Sequence, residues 1–348
     1  MRIPFPASLP ALLCLVLTFP FFSFAQEPDS VALPGIFDML HAQDIAEITV
    51  KSDLSYLVEN KKSSDDYIDG EFTFELEKNV TQTLPVKVKC RGRYRRMKCE
   101  FPPFKLKFKK DDLAAHGLNE FNELKLVTHC MDEKERSKDL ILREYLTYQL
   151  YNILTPNSFR AQLVKVTYLN TSGKPKKIKG WGILIEDSDE LAHRIGGSKE
   201  FLMGLPDSCF NSQQEKITAL FNYMIGNTDW STNLARNLEM IKCPDSSFVI
   251  VPYDFDFAGL VNAPYAVPNN FIGQKSIHER IYLGRKHPFS EFAETFQLFK
   301  EKKEDIFTVI KEADDLSIQS KSEMTEYLAS FYNTIEDEEK AKSILSDE

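Results

Sequence analysis

The sequence has no long apolar run, no paired-cysteine spacing and no excess of positive charge, and each absence removes a class of protein. The longest apolar stretch, "ALLCLVLTFPFF" near the N-terminus, is about a dozen residues, short of the roughly 20 that a membrane-crossing helix needs. No later segment approaches that length, so no transmembrane segment is expected. There is no C-x-x-C and no Cys/His ligand spacing, which argues against a structural zinc site. The formal charge of −9 argues against a general nucleic-acid partner or an anionic membrane surface. Repeats and low-complexity segments are absent as well, which leaves an ordinary globular composition.

What is present begins with a processing signal. Arg2 supplies a small positive region, the apolar stretch follows, and Ser23-Phe24-Ala25 forms a small-x-small cleavage site. Residues 1–25 are therefore expected to be a signal peptide and the mature chain to be secreted or periplasmic. Leu13 before Cys14 is not the small residue of a lipoprotein anchor, so simple cleavage after Ala25 is preferred. About 320 residues remain, with a charge of −10 once Arg2 is removed, enough for one large or two modest domains. Cys90, Cys99, Cys130, Cys209 and Cys243 stay in the mature chain, so at most two disulfides can form in an oxidising compartment. His129 and Cys130 are sequence neighbours and point to opposite faces of a strand, which favours a disulfide or a buried thiol over a nucleophile pair.

The chain is strand-rich first and helix-rich later. After a linker at 26–34, "AEITVKS", "GEFTFELEK", "LPVKVKCRG" and "FPPFKLKFKK" alternate apolar and polar residues with period two, as half-buried strands do. "NELKLVTHC" reads as a further strand. Residues 138–154, "KDLILREYLTYQLYNIL", carry Ile141, Tyr145, Tyr148 and Leu150 at helical spacing and stop before Pro156, which predicts an amphipathic helix. "AQLVKVTYL" and "IKGWGILIE" follow as two strands around a turn rich in Gly, Lys and Pro. "QQEKITALFNYMIG" is helical by pattern, "LEMIKCPDSSFVIVPYD" is a strand, a turn and a strand, and the segment from Ser276 onward is charged and mostly helical.

Between the last helix and hairpin lies "GNTDWSTNLARN", and the hairpin ends in "PYDFDFAG". A turn near Asp245 brings Asn237, just before the first strand, opposite Tyr253 and Asp254 at the end of the second. Asp229 lies in the loop that enters the hairpin and can fold over the same place. Amide and carboxylate oxygens gathered in this way suit magnesium, which takes one or two protein carboxylates plus phosphate and water. The order of a loop Asp, an Asn heading a strand, a hairpin and a metal-binding Asp matches the catalytic apparatus of kinase-like enzymes. On that reading Asp229 is the catalytic base or orienter, and Asn237 and Asp254 bind metal, with Asn233 as the alternative to Asn237 and Asp256 as a second acidic ligand. The upstream half follows the same order. Lys105 and Lys107 are the phosphate-binding candidates, Glu144 on the helix is the acidic partner, and Arg91 belongs to the cationic turn "CRGRYRRMK", which is chemically suited to phosphate.

These pieces resemble the CotH-type secreted and spore-coat kinases. "CRGRYRRMKCEFPPFKLKF" is similar to that family's R-G-x-S and lysine-rich strand, "LREYLTYQLYNIL" to its helix, "VKVTYL" with "KGWGILIED" to its strand pair, "GNTDW" to its D-W loop and "PYDFDFAG" to its D-x-D segment. The resemblance spans about residues 45–260. Arg93 and Tyr94 replace the Asn-Ser that usually follows Arg-Gly, the D-W loop lacks Pro-Gly-Asn-Asn, and there is no Gly-rich nucleotide loop. The resemblance implies an α+β, two-lobed protein-kinase-like fold, with a strand-rich N-lobe at 26–186 and a helix-rich C-lobe at 187–348. It also implies ATP with Mg²⁺ or Mn²⁺ as cofactors and a protein substrate with Ser or Thr hydroxyls. Two other readings compete with it. One is a kinase-like scaffold that binds a surface protein or polysaccharide without turnover. The other is a nucleotide-sugar glycosyltransferase using Asp254-Phe255-Asp256, which the run of successive strands at the start disfavours.

Overall fold

The computed structural model describes residues 33–77, 80–131, 133–173 and 177–346. The expected signal peptide, and the linker up to residue 32, lie outside these residues. A short helix, α1 (Ile36–His41), precedes β1 (Ala46–Ser52), whose buried residues alternate with exposed ones as expected. The chain then continues through α2 (Leu54–Glu59), β2 (Ile68–Glu77), β3 (Val80–Cys90), α3 (Arg93–Lys98), β4 (Phe104–Phe108), α4 (Lys110–Ala115) and β5 (Glu123–Val127). After the long helix α5 (Lys134–Leu154) come β6 (Ala161–Asn170) and β7 (Lys177–Ile185).

These strands form a closed barrel in the order β1-β2-β3-β4-β5-β7-β6. Every pairing is antiparallel except the closing one, where β1 runs parallel to β6 and Ala46 to Ser52 face Val164 to Asn170. The fold is therefore mixed α+β, with a closed barrel in place of the sheet the alternation suggested. Period-two patterning specifies which side chains point inward, and here Ile48, Phe72, Val86, Leu106, Leu124 and Val166 all point into one apolar interior. The pattern is the same for a barrel and for a packed sheet, so the difference was not readable from it.

The second half contains α6 (Ser188–Ile195), β8 (Ser198–Glu200), α7 (Ser212–Ile225) and the hairpin β9 (Leu238–Lys242) and β10 (Phe248–Pro252). Together β8, β9 and β10 form a small separate sheet. Helices α8 (Ala293–Glu301), α9 (Lys303–Lys311), α10 (Ile318–Glu336) and α11 (Glu338–Leu345) complete the described chain. Helix α5 was expected to be amphipathic, yet Leu140 through Glu144 are buried consecutively. It is a core helix covered on several sides. Its apolar residues belong to one cluster with Leu220, Val251, Phe299 and Phe331 from the helical half.

Two covalent or ionic ties hold the junction. The Cys99–Cys130 disulfide joins the end of α3 to the connection between β5 and α5. Glu186, fully buried just after β7, accepts from Arg160 Nε at 2.8 Å and from Arg194 Nη2 at 2.7 Å, and Arg160 also reaches Asp38 and Glu190.

Candidate functional site

Helix α7 ends at Gly226, which is left-handed at φ 66°. A Cβ there would lie 2.0 Å from the Tyr327 hydroxyl, so only glycine fits this stop. The loop that follows is held by its own amides. Asn227 Oδ1 accepts the Asp229 N–H at 3.0 Å, and Asn237 Nδ2 donates to the Asp229 carbonyl at 2.6 Å and to its carboxylate at 3.0 Å. The hairpin extends one step beyond its strands, with Tyr253 N–H donating to the Asn237 carbonyl at 3.0 Å. The pairing that the turn position implied is thus present, and it places Asn237 beside the end of β10.

Asn237 and Asp254 both have positive φ, 51° and 64°. Asn and Asp tolerate that region better than most residues because their short polar side chains can bond locally. At Asp254 the turn aims the backbone N–H at the Tyr148 hydroxyl of α5, 2.9 Å away. The chain therefore leaves β10 sharply, and the Asp254 side chain remains 31% exposed.

Arg95 stands at the centre of the arrangement. It projects from α3, is 5% exposed, and bonds to three carboxylates: Asp256 through Nε at 2.7 Å, and Glu144 and Asp254 through Nη2 at 2.8 and 3.2 Å. The Tyr265 hydroxyl also bonds to Asp256, and Tyr94 donates to the Tyr265 carbonyl. Burial works against the Arg95 cation, but Asp256 and Glu144 outweigh it and hold its pKa well above the ordinary value. Burial pushes Glu144 up to about 7, with Arg95 opposing and the two aspartates adding to the rise. Asp256 is raised for the same first reason. Burial also raises Asp229, with Arg236 opposing and Asp254 and Asp256 adding. One cation among three carboxylates leaves the centre short of positive charge, a deficit that a further cation can fill.

Of the residues singled out from sequence, the structure brings Glu144, Asp254 and Asp256 onto one guanidinium and Asn237 onto Asp229. It does not bring the two strand lysines to that centre: Lys105 and Lys107 both pair with Glu123 on the neighbouring strand. Asn233 is exposed, and its carbonyl accepts from Gly204, so Asn237 is the amide next to Asp254. Arg91 is half-buried, opposes in small part the rise that burial imposes on the Tyr148 and Tyr253 phenols, and has no ion pair among the described residues. Among the described residues no three His, Cys, Asp or Glu side chains are grouped to hold a metal ion.

Two buried cations were passed over. Arg95 was noticed only as part of a cationic turn. Lys125 lies on β5, the strand immediately before α5, with a side chain 15% exposed. Its ammonium donates to Ser188 Oγ at 2.7 Å and sits 4.3 Å over the Phe159 ring and 5.2 Å from Tyr253. Burial pushes it down to about 8, with Glu239 opposing. The available signal was position: "NELKLV" is the last strand before the Glu144 helix, and Lys125 is its one lysine.

No family model matches this chain, and no curated protein does. Among solved structures it is similar to a chain from the crystal structure of a Helicobacter pylori proinflammatory kinase, CtkA. The identity is 10% over 69% of this chain and 90% of that one, with a TM-score of 0.32. A likeness at that level carries no argument about activity.

Proposed function

We propose that the chain is a kinase-like phosphotransferase of the CotH type, two-lobed about Glu186 and exported, that moves phosphate from ATP to a protein hydroxyl with Mg²⁺ or Mn²⁺. The observation that carries this reading is the contact of one buried cation, Arg95, with both the helix carboxylate Glu144 and the post-hairpin carboxylate Asp254. Kinases require a cation paired to a helix Glu next to a metal-binding Asp, and Arg95 takes the first part here. Arg91 and Lys125 are the further cations positioned to meet phosphate, in place of Lys105 and Lys107.

The donor set fits a divalent ion. Asp254 keeps an exposed carboxylate edge, and Asn237, whose Nδ2 is committed to Asp229, keeps its amide oxygen. Asp256 is taken by Arg95 and Tyr265 and supplies no oxygen. When bound, such an ion neutralises phosphate charge. Asp229, fixed by Asn227 and Asn237, is the group that orients the acceptor hydroxyl and takes its proton, and its raised pKa moves it toward that task. Positioning and charge neutralisation make up the rest of the catalysis.

A non-catalytic scaffold is the second reading, favoured by the same Arg95, because its guanidinium already bonds both aspartates of the D-x-D segment. Calorimetric titration with ATP, with and without Mn²⁺, separates the two. The phosphotransferase reading expects metal-dependent ATP binding, lost in Asp254→Ala and kept in Asp229→Ala, which should lose only turnover. Wild-type protein that binds no ATP would leave the scaffold standing, and binding of a nucleotide sugar instead would move the site to glycosyl transfer.

A further inference from the structure

A groove of about 740 Å³ lies on the outer face of the barrel, against the first turns of α5, and none of the residues around Arg95 lines it. Its wall carries Lys134, Lys138, Lys165, Lys177 and Lys179 around Trp181. In a chain of net charge −9, this is a local inversion of sign. Lys138 is engaged by Asp315 at 2.8 Å, whereas the other four have no ion-pair partner among the described residues. Glu47, Glu75 and Glu135 also border the groove, leaving the lysines in excess. The floor is an outward row of hydroxyls, since Thr49 stands opposite Thr73 on one side and Thr167 on the other.

We propose that this groove binds an acidic peptide segment of a partner protein. Three observations select that occupant. First, the cations are all lysines, with no arginine lining the groove among the described residues. Lysines act as mobile point charges, which can meet a flexible run of carboxylates without the fixed geometry that an arginine fork imposes. Second, Lys138 and Lys165 each sit over the Trp181 ring, 5.1 Å from its centroid, so the ring holds two of the cations in the groove. Third, the charge is uneven across the floor. Glu47 lies directly opposite Lys165 in the β1–β6 register, whereas Lys177 and Lys179 of β7 stand opposite the uncharged Leu169 and Thr167 of β6, so an acidic chain is drawn to the β7 lysines. The hydroxyl row can bond to its peptide groups. The groove reaches the helix that carries Glu144, with Lys134 roughly 15 Å from Glu144 along the axis at 1.5 Å per residue.

The test is fluorescence anisotropy of a labelled deca-glutamate peptide with the full chain. The expected result is binding that weakens with added salt and falls about tenfold or more in the Lys165→Gln/Lys179→Gln double variant. A second double variant, Lys62→Gln/Lys300→Gln, removes the same charge from exposed positions elsewhere and should leave binding unchanged. Equal loss in both doubles, no loss in the first, or no binding at all would overturn the proposal. So would binding of polyphosphate or a sulfated glycan without binding of deca-glutamate. As a measurement that needs no variant, deca-glutamate should protect Lys134, Lys165, Lys177 and Lys179 of the wild-type chain from acetylation while leaving Lys62 and Lys300 reactive. ATP is in neither assay, so the outcome is separate from the phosphotransferase reading.

Discussion

Of the buried ionic centres among the described residues, the one around Glu186 and the one around Arg95 are built on opposite plans. At Glu186 a fully buried carboxylate is matched by two guanidiniums, and the remaining positive charge of Arg160 is taken up by the part-exposed Asp38 and the buried Glu190. At Arg95 one guanidinium faces three carboxylates. A centre that only ties elements together can be matched locally, since buried charge is tolerated when each member has its partners. The Arg95 centre is under-supplied with positive charge at the one place where Asp254 is still open to solvent. On the proposed function, that difference makes Arg95 the centre of the site and Glu186 the brace.

The comparison breaks first at its cations. Arg95→Ala leaves three carboxylates without a counter-ion and should cost about 3–5 kcal/mol, read by urea denaturation at pH 8. A loss under 1 kcal/mol would mean that water already reaches the centre. Glu186→Gln should cost less, about 2–3 kcal/mol, because it removes charge-assisted bonds from guanidiniums that are partly solvated. If it costs more than Arg95→Ala, the roles of brace and site are reversed.

The smallest effect is that of a single pH unit. Burial pushes both Glu144 and Glu190 up to about 7 from an ordinary value of 4.5. The native chain then holds protons that the unfolded chain releases, so stability falls as pH rises from about 4.5 to about 7, by on the order of 1 kcal/mol per pH unit for each group. Urea midpoints measured across that window should drop with pH, and Glu190→Gln should remove part of the slope while Glu144 keeps the rest. A flat profile would show that Arg95 holds Glu144, and Arg160 holds Glu190, ionised throughout.

The legible parts of this fold were those whose pattern is local. β1 and β6 begin where the alternation begins, and α5 ends before Pro156 as its breaker requires. The place of Asn237 opposite Tyr253, at the end of β10, was legible because a hairpin fixes its own register. Arg95 was not, because α3 is one short helix inside an arginine-rich turn and nothing local distinguishes Arg95 from Arg93 or Arg96. What distinguishes it is Glu144 on another element and two aspartates about 160 residues downstream. The lysine expectation rested on adjacency: Lys105 and Lys107 share a strand face and looked like a pair, but the group that both meet in the fold is the Glu123 carboxylate. Barrel closure was equally invisible, since β1 and β6 have no sequence signal for each other.

That closing pair also sets an order of events. β1 finds its parallel neighbour only when residues 164–170 exist, after the chain has made every other strand of the barrel but the last and the whole of α5. During synthesis the first strand therefore waits with one flank unpaired through more than a hundred residues of growth, a long-range closure of the kind that slows folding. An exposed flank is a place where strangers can pair. The interval before β6 emerges is when this chain most needs protection, and the finished barrel, having no flank left, needs none.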